Sequence, residues 1–280
     1  MKIILLSATA PPKLESHLLK NFGMHMGRTA FIRCATNRPE IGLHTIHLGS
    51  LTPKYELVGL VKELARQLKD EERILVFFAS VAELQAFVDG FPCPVFHTSL
   101  PLTGIATKES NLRRWDGGEC NVMACTSAFG SGVDRAHIRF VVIYEPAYGL
   151  MTTLQMAGRA GRDGKESHVF FVTSQQAGLS TGSTQKTTMV HELGEVVHKA
   201  QCKVYQMMVH MDGDQLAKTC GEIKGQVRCD ICAPEDEMHQ LALRAVKGKG
   251  EKVNQTLFKD RLQTGGCGSA TKGKAPEGGV

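Results

Sequence analysis

The sequence predicts an α/β protein, a doubly wound parallel sheet joined to a small, mostly helical metal-binding module. Three observations carry that prediction. Continuous apolar runs such as Ile74–Phe78 and Phe140–Tyr144 lack the alternation of a half-exposed strand, which marks strands covered on both faces. Between them, apolar residues recur at helical spacing, as Leu57, Leu60, Val61, Leu64 and Leu68 do, and strands alternating with helices give a parallel sheet. Beyond the last run, Cys202, Cys220, Cys229 and Cys232 are spaced C-x17-C-x8-C-x2-C. A Cys-x2-Cys turn offers two thiolates to one tetrahedral ion.

Taken in order, Ile3–Leu6 is apolar and reads as a buried strand with a polar end at Ser7-Ala8-Thr9. Pro11-Pro12 opens a helix to about Phe22, since proline is tolerated in a first turn. Ala30–Arg33 and Leu43–Leu48 read as strands flanking Asn37–Ile41. The helix around Leu57–Leu68 precedes the strand Ile74–Phe78, and Ser80 starts a helix through Val88. Val95–His97 is a short strand, a helix ends at Leu112–Trp115, and Asn121–Cys125, Phe140–Tyr144 and His168–Val172 complete the sheet. Residues 174–187, rich in Ser, Thr, Gly and Gln, read as a linker. Thr188–Met208 reads as one helix carrying Cys202 on its latter half. In such sheets ligands sit at the carboxyl ends of strands, so Ser80, His97, Thr126, Arg159 and Arg162 are expected along one edge.

A chain of 280 residues with 42% hydrophobic and 22% charged content can bury one core and carry a second, smaller module. Its net charge of +5 belongs to residues 244–280, which hold eight Lys/Arg against three Asp/Glu. That tail is expected to be disordered and either assists nucleic-acid binding or simply keeps the chain soluble. No apolar run approaches the roughly 18 residues of a membrane helix. The apolar core at the N-terminus falls short of the roughly seven residues secretion needs. Nine cysteines, an odd number with one tight pair, favour metal in a reducing compartment over a disulfide framework. Cys34, Cys93, Cys120, Cys125 and Cys267 have no such arrangement and read as core or incidental.

Gln155-Met156-Ala157-Gly158-Arg159-Ala160-Gly161-Arg162-Asp163-Gly164 is hard to explain as packing. Arg159 and Arg162 would share one face of a helical turn, Gly158 and Gly161 would leave its backbone approachable, and a guanidinium fork matches phosphate oxygens. The stretch resembles the last conserved motif of superfamily 2 helicases, and its wording AGRAGRDG resembles the RecQ family. Thr126–Asp134 resembles the preceding motif, with Ser131 and Val133 where the family usually has Met and Ile. Ser7-Ala8-Thr9 resembles the motif that closes the first RecA-like domain of such helicases. Arg38-Pro39-Glu40 resembles an Arg-Pro-Asn, with Glu40 departing from it, and a plain turn is the competing reading. Phe96-His97-Thr98-Ser99-Leu100 resembles Tyr-His-Ala-x-Leu, with a packed core histidine as the competing reading. The spacing of the four cysteines is similar to the RecQ zinc-binding domain, and Asp230 inside the knuckle fits that family's wording.

The resemblance implies an ATP-dependent 3′–5′ DNA helicase, present here as the second RecA-like domain plus zinc module. It implies that Arg162 and Arg159 stabilise charge on the γ-phosphate while Gln155 and Asp134 order the interface. Gly132, Gly158, Gly161, Ser7 and Thr9 would belong to the same nucleotide interface. Thr126 and Ser80, with His97 and Arg38, would meet DNA, single-stranded or duplex. Cys202, Cys220, Cys229 and Cys232 would hold Zn2+, supplying on the order of 10–16 kcal/mol of folding energy. ATP with Mg2+ would be held mainly by a first RecA-like domain, covalently joined or acting in trans. The chain is expected to lack a G-x-x-x-x-G-K-[ST] loop and an Asp-Glu-x-His, and so to hydrolyse ATP poorly by itself. The implied layout places residues 1–28 in the first domain, 29–175 in the second, 176–240 in the linker and zinc module, and 241–280 in the tail. DNA as substrate places the protein in the nucleus, otherwise in the cytoplasm, and in repair and recombination. Two other classes stay open: a non-catalytic nucleic-acid-binding remnant, and a regulator lending its arginines to a separate ATPase.

Overall fold

The computed structural model describes residues 3–7, 9–49, 53–101, 107–130, 134–174 and 189–247. The continuous apolar runs become strands: β1 Ile41–Leu48, β2 Arg73–Phe77, β3 Val95–Phe96, β4 Val122–Cys125, β5 Ile138–Tyr144 and β6 Ser167–Ser174. They form one sheet in the order β1-β6-β5-β2-β4-β3, and every pairing is parallel. Side chains alternate across a strand, so one set of residues builds each of two cores. Leu43, Leu75, Phe77, Val141 and Phe171 pack on one face; Ile46, Val76, Val142, Phe170 and Val172 pack on the other.

The helices are α1 Glu15–Asn21, α2 Pro53–Arg66, α3 Val81–Val88, α4 Lys108–Asp116, α5 Leu150–Ala157, α6 Val190–His198, α7 Lys203–Asp212 and α8 Glu237–Lys247. Apolar residues of α4 to α7 cover the first face, and those of α2, α3 and α8 cover the second. This is the doubly wound parallel arrangement the sequence predicts. Ser80 caps α3, its hydroxyl accepting from the Glu83 amide while the Glu83 carboxylate accepts from the Ser80 amide, a reciprocal pairing that fixes where the helix starts. Among the described residues no helix is long and apolar enough to cross a membrane.

Four expectations need correction. Residues 3–7 form no strand, and Ile4 and Leu6 are 81% and 92% exposed. Ala30–Arg33 forms none either. The physical reason lies at β1, the edge strand, whose free side is already taken. The Val227 amide donates to Pro39 O at 2.8 Å, the Asp230 amide to Leu43 O at 3.2 Å, and the Thr45 amide to the Asp230 carboxylate at 2.8 Å. A covered edge accepts no further strand. Within the described part of the helix expected over Thr188–Met208 there are two helices, because Cys202, at the N-cap of α7 with non-helical backbone, turns its sulfur toward the other cysteines. Finally, 241–247 belongs to α8, whose Leu241, Ala242 and Val246 are buried against α2, rather than to a tail. The linker reading at 174–187 falls, apart from Ser174, outside the described residues, as does everything after Lys247.

Candidate functional site

Helix α5 ends at Ala157 with Gly158 as its C-cap, and residues 158–164 continue as turns. Gly161 has φ +59, and a Cβ there would lie 3.0 Å from both Lys165 O and Ser167 Oγ, so only glycine fits. The Gly161 amide donates to Ile138 O at 2.9 Å, at the start of β5. The two arginines therefore do not share a helix face. Arg159 is 8% exposed, its guanidinium pKa lowered by burial and then by the nearby charge of Arg162. Arg162 is exposed, pairs with the Asp134 carboxylate, and donates from Nε to Gly158 O at 3.2 Å. The Arg162 hydrogen bond holds Asp134 below the usual carboxylate range.

Arg38 braces this turn. It donates to Gly158 O at 3.1 Å and Gly161 O at 2.7 Å, and its Nε donates to Glu40 at 2.8 Å. Glu40, the departure in the Arg-Pro-Glu stretch, is thus the partner that orients Arg38. Gln155 is exposed and donates to Thr9 Oγ1 at 3.3 Å, while Ser7, also exposed, accepts from the Thr9 amide. A cavity of about 550 Å³ is lined by Thr9, Arg38, Gln155, Gly158, Arg159 and Arg162 among others. Gly132 lies outside the described residues.

Ser80, His97 and Thr126 stand elsewhere. Each follows the carboxyl end of its strand, β2, β3 and β4 respectively. The arginine turn, Arg38 and Asp134 instead gather at the amino ends of β1, β5 and β6, where Gly161 meets Ile138 and the Ser167 amide donates to Glu40 O at 2.9 Å. The expected single edge is therefore two opposite edges. The reason is topological: α5 runs back antiparallel to the strands, so residues after its end precede the next strand. The signal was in the sequence, since Arg162 lies just before a strand and not after one. At the carboxyl edge the Ser80 hydroxyl is engaged in its cap, Thr126 is 8% exposed with its amide on Phe96 O, and His97 Nδ1 is buried without a partner. Burial lowers the His97 pKa, helped by Lys108.

The four cysteines converge. Their sulfurs all lie within 4.8 Å of one another, and Cys202 Sγ and Cys220 Sγ are 3.5 Å apart. A tetrahedral ion with bonds of about 2.3 Å holds its sulfurs about 3.8 Å apart, so the donor set fits one shared metal ion. Cys202 is drawn lowest in pKa, because Cys220 and then Cys229 hydrogen-bond to its sulfur. Beside them Lys203, 1% exposed, donates to Val197 O at 3.1 Å and faces Asp230 at 3.5 Å. Burial lowers the Lys203 pKa and raises that of Asp230. Lys203 carried no signal beyond its place next to Cys202.

Two further features escaped the sequence reading. Asp163, at the end of the arginine stretch, is paired with buried Arg139. And Asp236-Glu237-Met238-His239 spells the Asp-Glu-x-His that was expected to be missing. It opens α8, where Asp236 caps the helix by accepting from the His239 amide at 3.0 Å, and it follows no strand. No G-x-x-x-x-G-K-[ST] occurs in the sequence.

The helicase conserved C-terminal domain family matches residues 56–164. The chain is 22% identical to ATP-dependent DNA helicase Q-like 2 of Arabidopsis thaliana over 274 residues, 94% of this chain and 37% of that protein. It is 33% identical to ATP-dependent DNA helicase RecQ of a Synechocystis species over 97 residues, 34% of this chain and 20% of that protein. It is 22% identical to RecQ-like DNA helicase BLM of Xenopus laevis over 247 residues, 81% of this chain and 17% of that protein. Over these stretches the chain is similar to the C-terminal parts of RecQ-type superfamily 2 helicases. The RecQ match with Q-like 2 reaches past the domain at 56–164 into the cysteine module, and the chain spans well under half the length of each of these relatives.

Proposed function

We propose that this chain is the second RecA-like lobe and zinc module of an ATP-dependent 3′–5′ DNA helicase. The observation that carries the proposal is Arg162, exposed at the amino edge of the sheet and tethered by Asp134 beside the cavity that Arg159, Arg38, Gln155 and Thr9 also line. A charge so presented can meet phosphates held by another lobe, and arginine fingers raise phosphoryl-transfer rates by roughly 10³–10⁵. Arg162 acts as the finger. Arg159, being buried, supports the turn and adds field. Gln155 and Thr9 couple α5 to the N-terminal segment. Ser7 stands beside Thr9 at that junction, while Gly158 and Gly161 let the turn close. Gly132 joins the nucleotide interface by resemblance alone.

The first lobe, fused upstream or supplied in trans, holds ATP and Mg2+. When nucleotide draws the lobes together, Arg162 neutralises charge that spreads onto the transferring phosphoryl oxygens. Ser80, His97 and Thr126 on the opposite edge face the DNA backbone, where phosphate contacts position a strand without reading its sequence. Arg38 braces the arginine turn instead of touching DNA. Zn2+ in the cysteine cluster supplies structural stabilisation. Genomic DNA as substrate assigns the whole protein to repair and recombination in the nucleus. The test is strand displacement by the chain joined to a first RecA-like lobe. Unwinding of 3′-tailed but not 5′-tailed duplexes, dependent on ATP, is expected; equal activity on both, or none with a lobe that does hydrolyse ATP, would overturn the assignment.

A further inference from the structure

A second group of metal-binding side chains lies under α8, on the face of the sheet away from the arginine-facing core. His44 of β1 and His168 of β6 stand diagonally on adjacent strands, since His168 pairs with Gly42 and His44 with Phe170. His44 Nε2 and His168 Nδ1 are 3.0 Å apart. Asp236, the N-cap of α8, brings a carboxylate oxygen so that all three donor atoms lie within 4.8 Å of one another. His239 on the first turn of α8 stacks over His44 with ring centroids 5.6 Å apart.

Four observations suit an ion between these side chains. Two nitrogens bound to one tetrahedral ion at about 2.0–2.1 Å stand about 3.3 Å apart, close to the separation here. Gly42 keeps its own strand clear of both nitrogens: a Cβ there would lie 3.0 Å from His44 Nε2 and 3.1 Å from His168 Nδ1, and 2.9 Å from Val227 Cγ1, which walls that side. On its far side His168 Nε2 faces the Glu166 carboxylate at 3.4 Å. A proton on Nε2 would face that carboxylate and leave Nδ1 with a lone pair, the outer-sphere arrangement common to metal-bound histidines. His44 Nδ1 and His239 Nδ1 are buried without hydrogen-bond partners, so the pocket is polar and incompletely satisfied.

We propose that His44, His168 and Asp236 bind a divalent transition-metal ion of the zinc–cobalt class, distinct from the cysteine site. Two imidazole nitrogens and one carboxylate are the donors such ions accept. The ion would clasp the start of α8 to β1 and β6. The cysteine knuckle already grips the outer edge of β1 through Asp230, so the module would hold that strand at its edge and on one face.

The experiment is metal content of the full chain after equilibration with excess Zn2+ and, on a separate sample carrying one Zn2+ per chain, addition of Co2+. Two ions per chain are expected, and Co2+ at the second site should give weak visible bands without the strong near-ultraviolet absorption of thiolate ligation. Asp236→Asn keeps a good helix cap and should weaken the second ion at least ~10-fold; His168→Gln should abolish it. One ion per wild-type chain at saturating metal would overturn the proposal. So would a second ion that survives both substitutions or shows thiolate absorption.

Discussion

Arg162 forms an ion pair with Asp134, tying the turn after α5 to the residues that lead into β5. The Asp134 side chain is 81% exposed and that of Arg162 31%, so the pair stands at the lip of the cavity and not in the core. Exposed pairs contribute little to folding. Asp134→Asn should therefore leave the urea midpoint unchanged while slowing ATP hydrolysis by the joined lobes, because the guanidinium loses its tether. A fall in the midpoint equal to that of a buried substitution would show the pair to be structural.

Asp163 is the structural acid of the same stretch. Burial pushes its pKa up, but the hydrogen bonds from Arg139 and the Lys165 amide outweigh it and leave the carboxyl at about 2, against an ordinary 3.8. A depressed carboxyl stabilises the fold above its unfolded pKa and loses that contribution as pH falls through the folded value. The contribution is about 2 kcal/mol at neutral pH, present above about pH 4 and fading toward pH 2. Asp163→Asn should remove it, and urea titrations at pH 7 and pH 3 should show the variant losing less on acidification than the parent.

Much of this was legible beforehand, and what was not has identifiable causes. Ser80 announced α3 because a capping serine with Glu83 three residues on is a local signal. Ile74–Phe78 announced a buried strand because burial on both faces needs an unbroken apolar run. The four thiols were visible from their spacing and its likeness to the RecQ zinc-binding domain. Tertiary contacts decided the rest. Nothing near Cys202 breaks a helix by propensity; the break follows from its sulfur meeting Cys220. Ile3–Leu6 has strand composition but does not join the sheet at β1, whose edge residues 227–230 already occupy. The split of the site into two edges depends on the return direction of α5, which a list of motifs does not encode.

Arg38 is expected to matter for the turn and not for DNA. Its donations to Gly158 O and Gly161 O are hydrogen bonds from a charged group, worth about 1.5–3 kcal/mol. Arg38→Ala should lower stability by about 2 kcal/mol and speed amide exchange across residues 158–164, with single-stranded DNA affinity unchanged. Lost DNA affinity at unchanged exchange would return Arg38 to the nucleic-acid surface.

Chelation should separate the module from the sheet energetically. Stripping metal from Cys202, Cys220, Cys229 and Cys232 leaves four sulfurs, two of them buried, packed on each other, so helical signal and melting temperature should both fall. Retention should also weaken as pH drops, because protons compete for the sulfurs that must ligate as thiolates. A melting curve indifferent to chelation would contradict a structural role for the ion.

The most direct measurement is ATP hydrolysis by a first RecA-like lobe with and without this chain, in the parent and in Arg162→Ala and Arg159→Ala. Stimulation by the parent is expected, with Arg162→Ala losing roughly 10³-fold or more at an unchanged melting temperature. Arg159→Ala should instead destabilise the chain by about 1–3 kcal/mol, in keeping with its burial. Full stimulation by a folded Arg162→Ala chain would contradict the account.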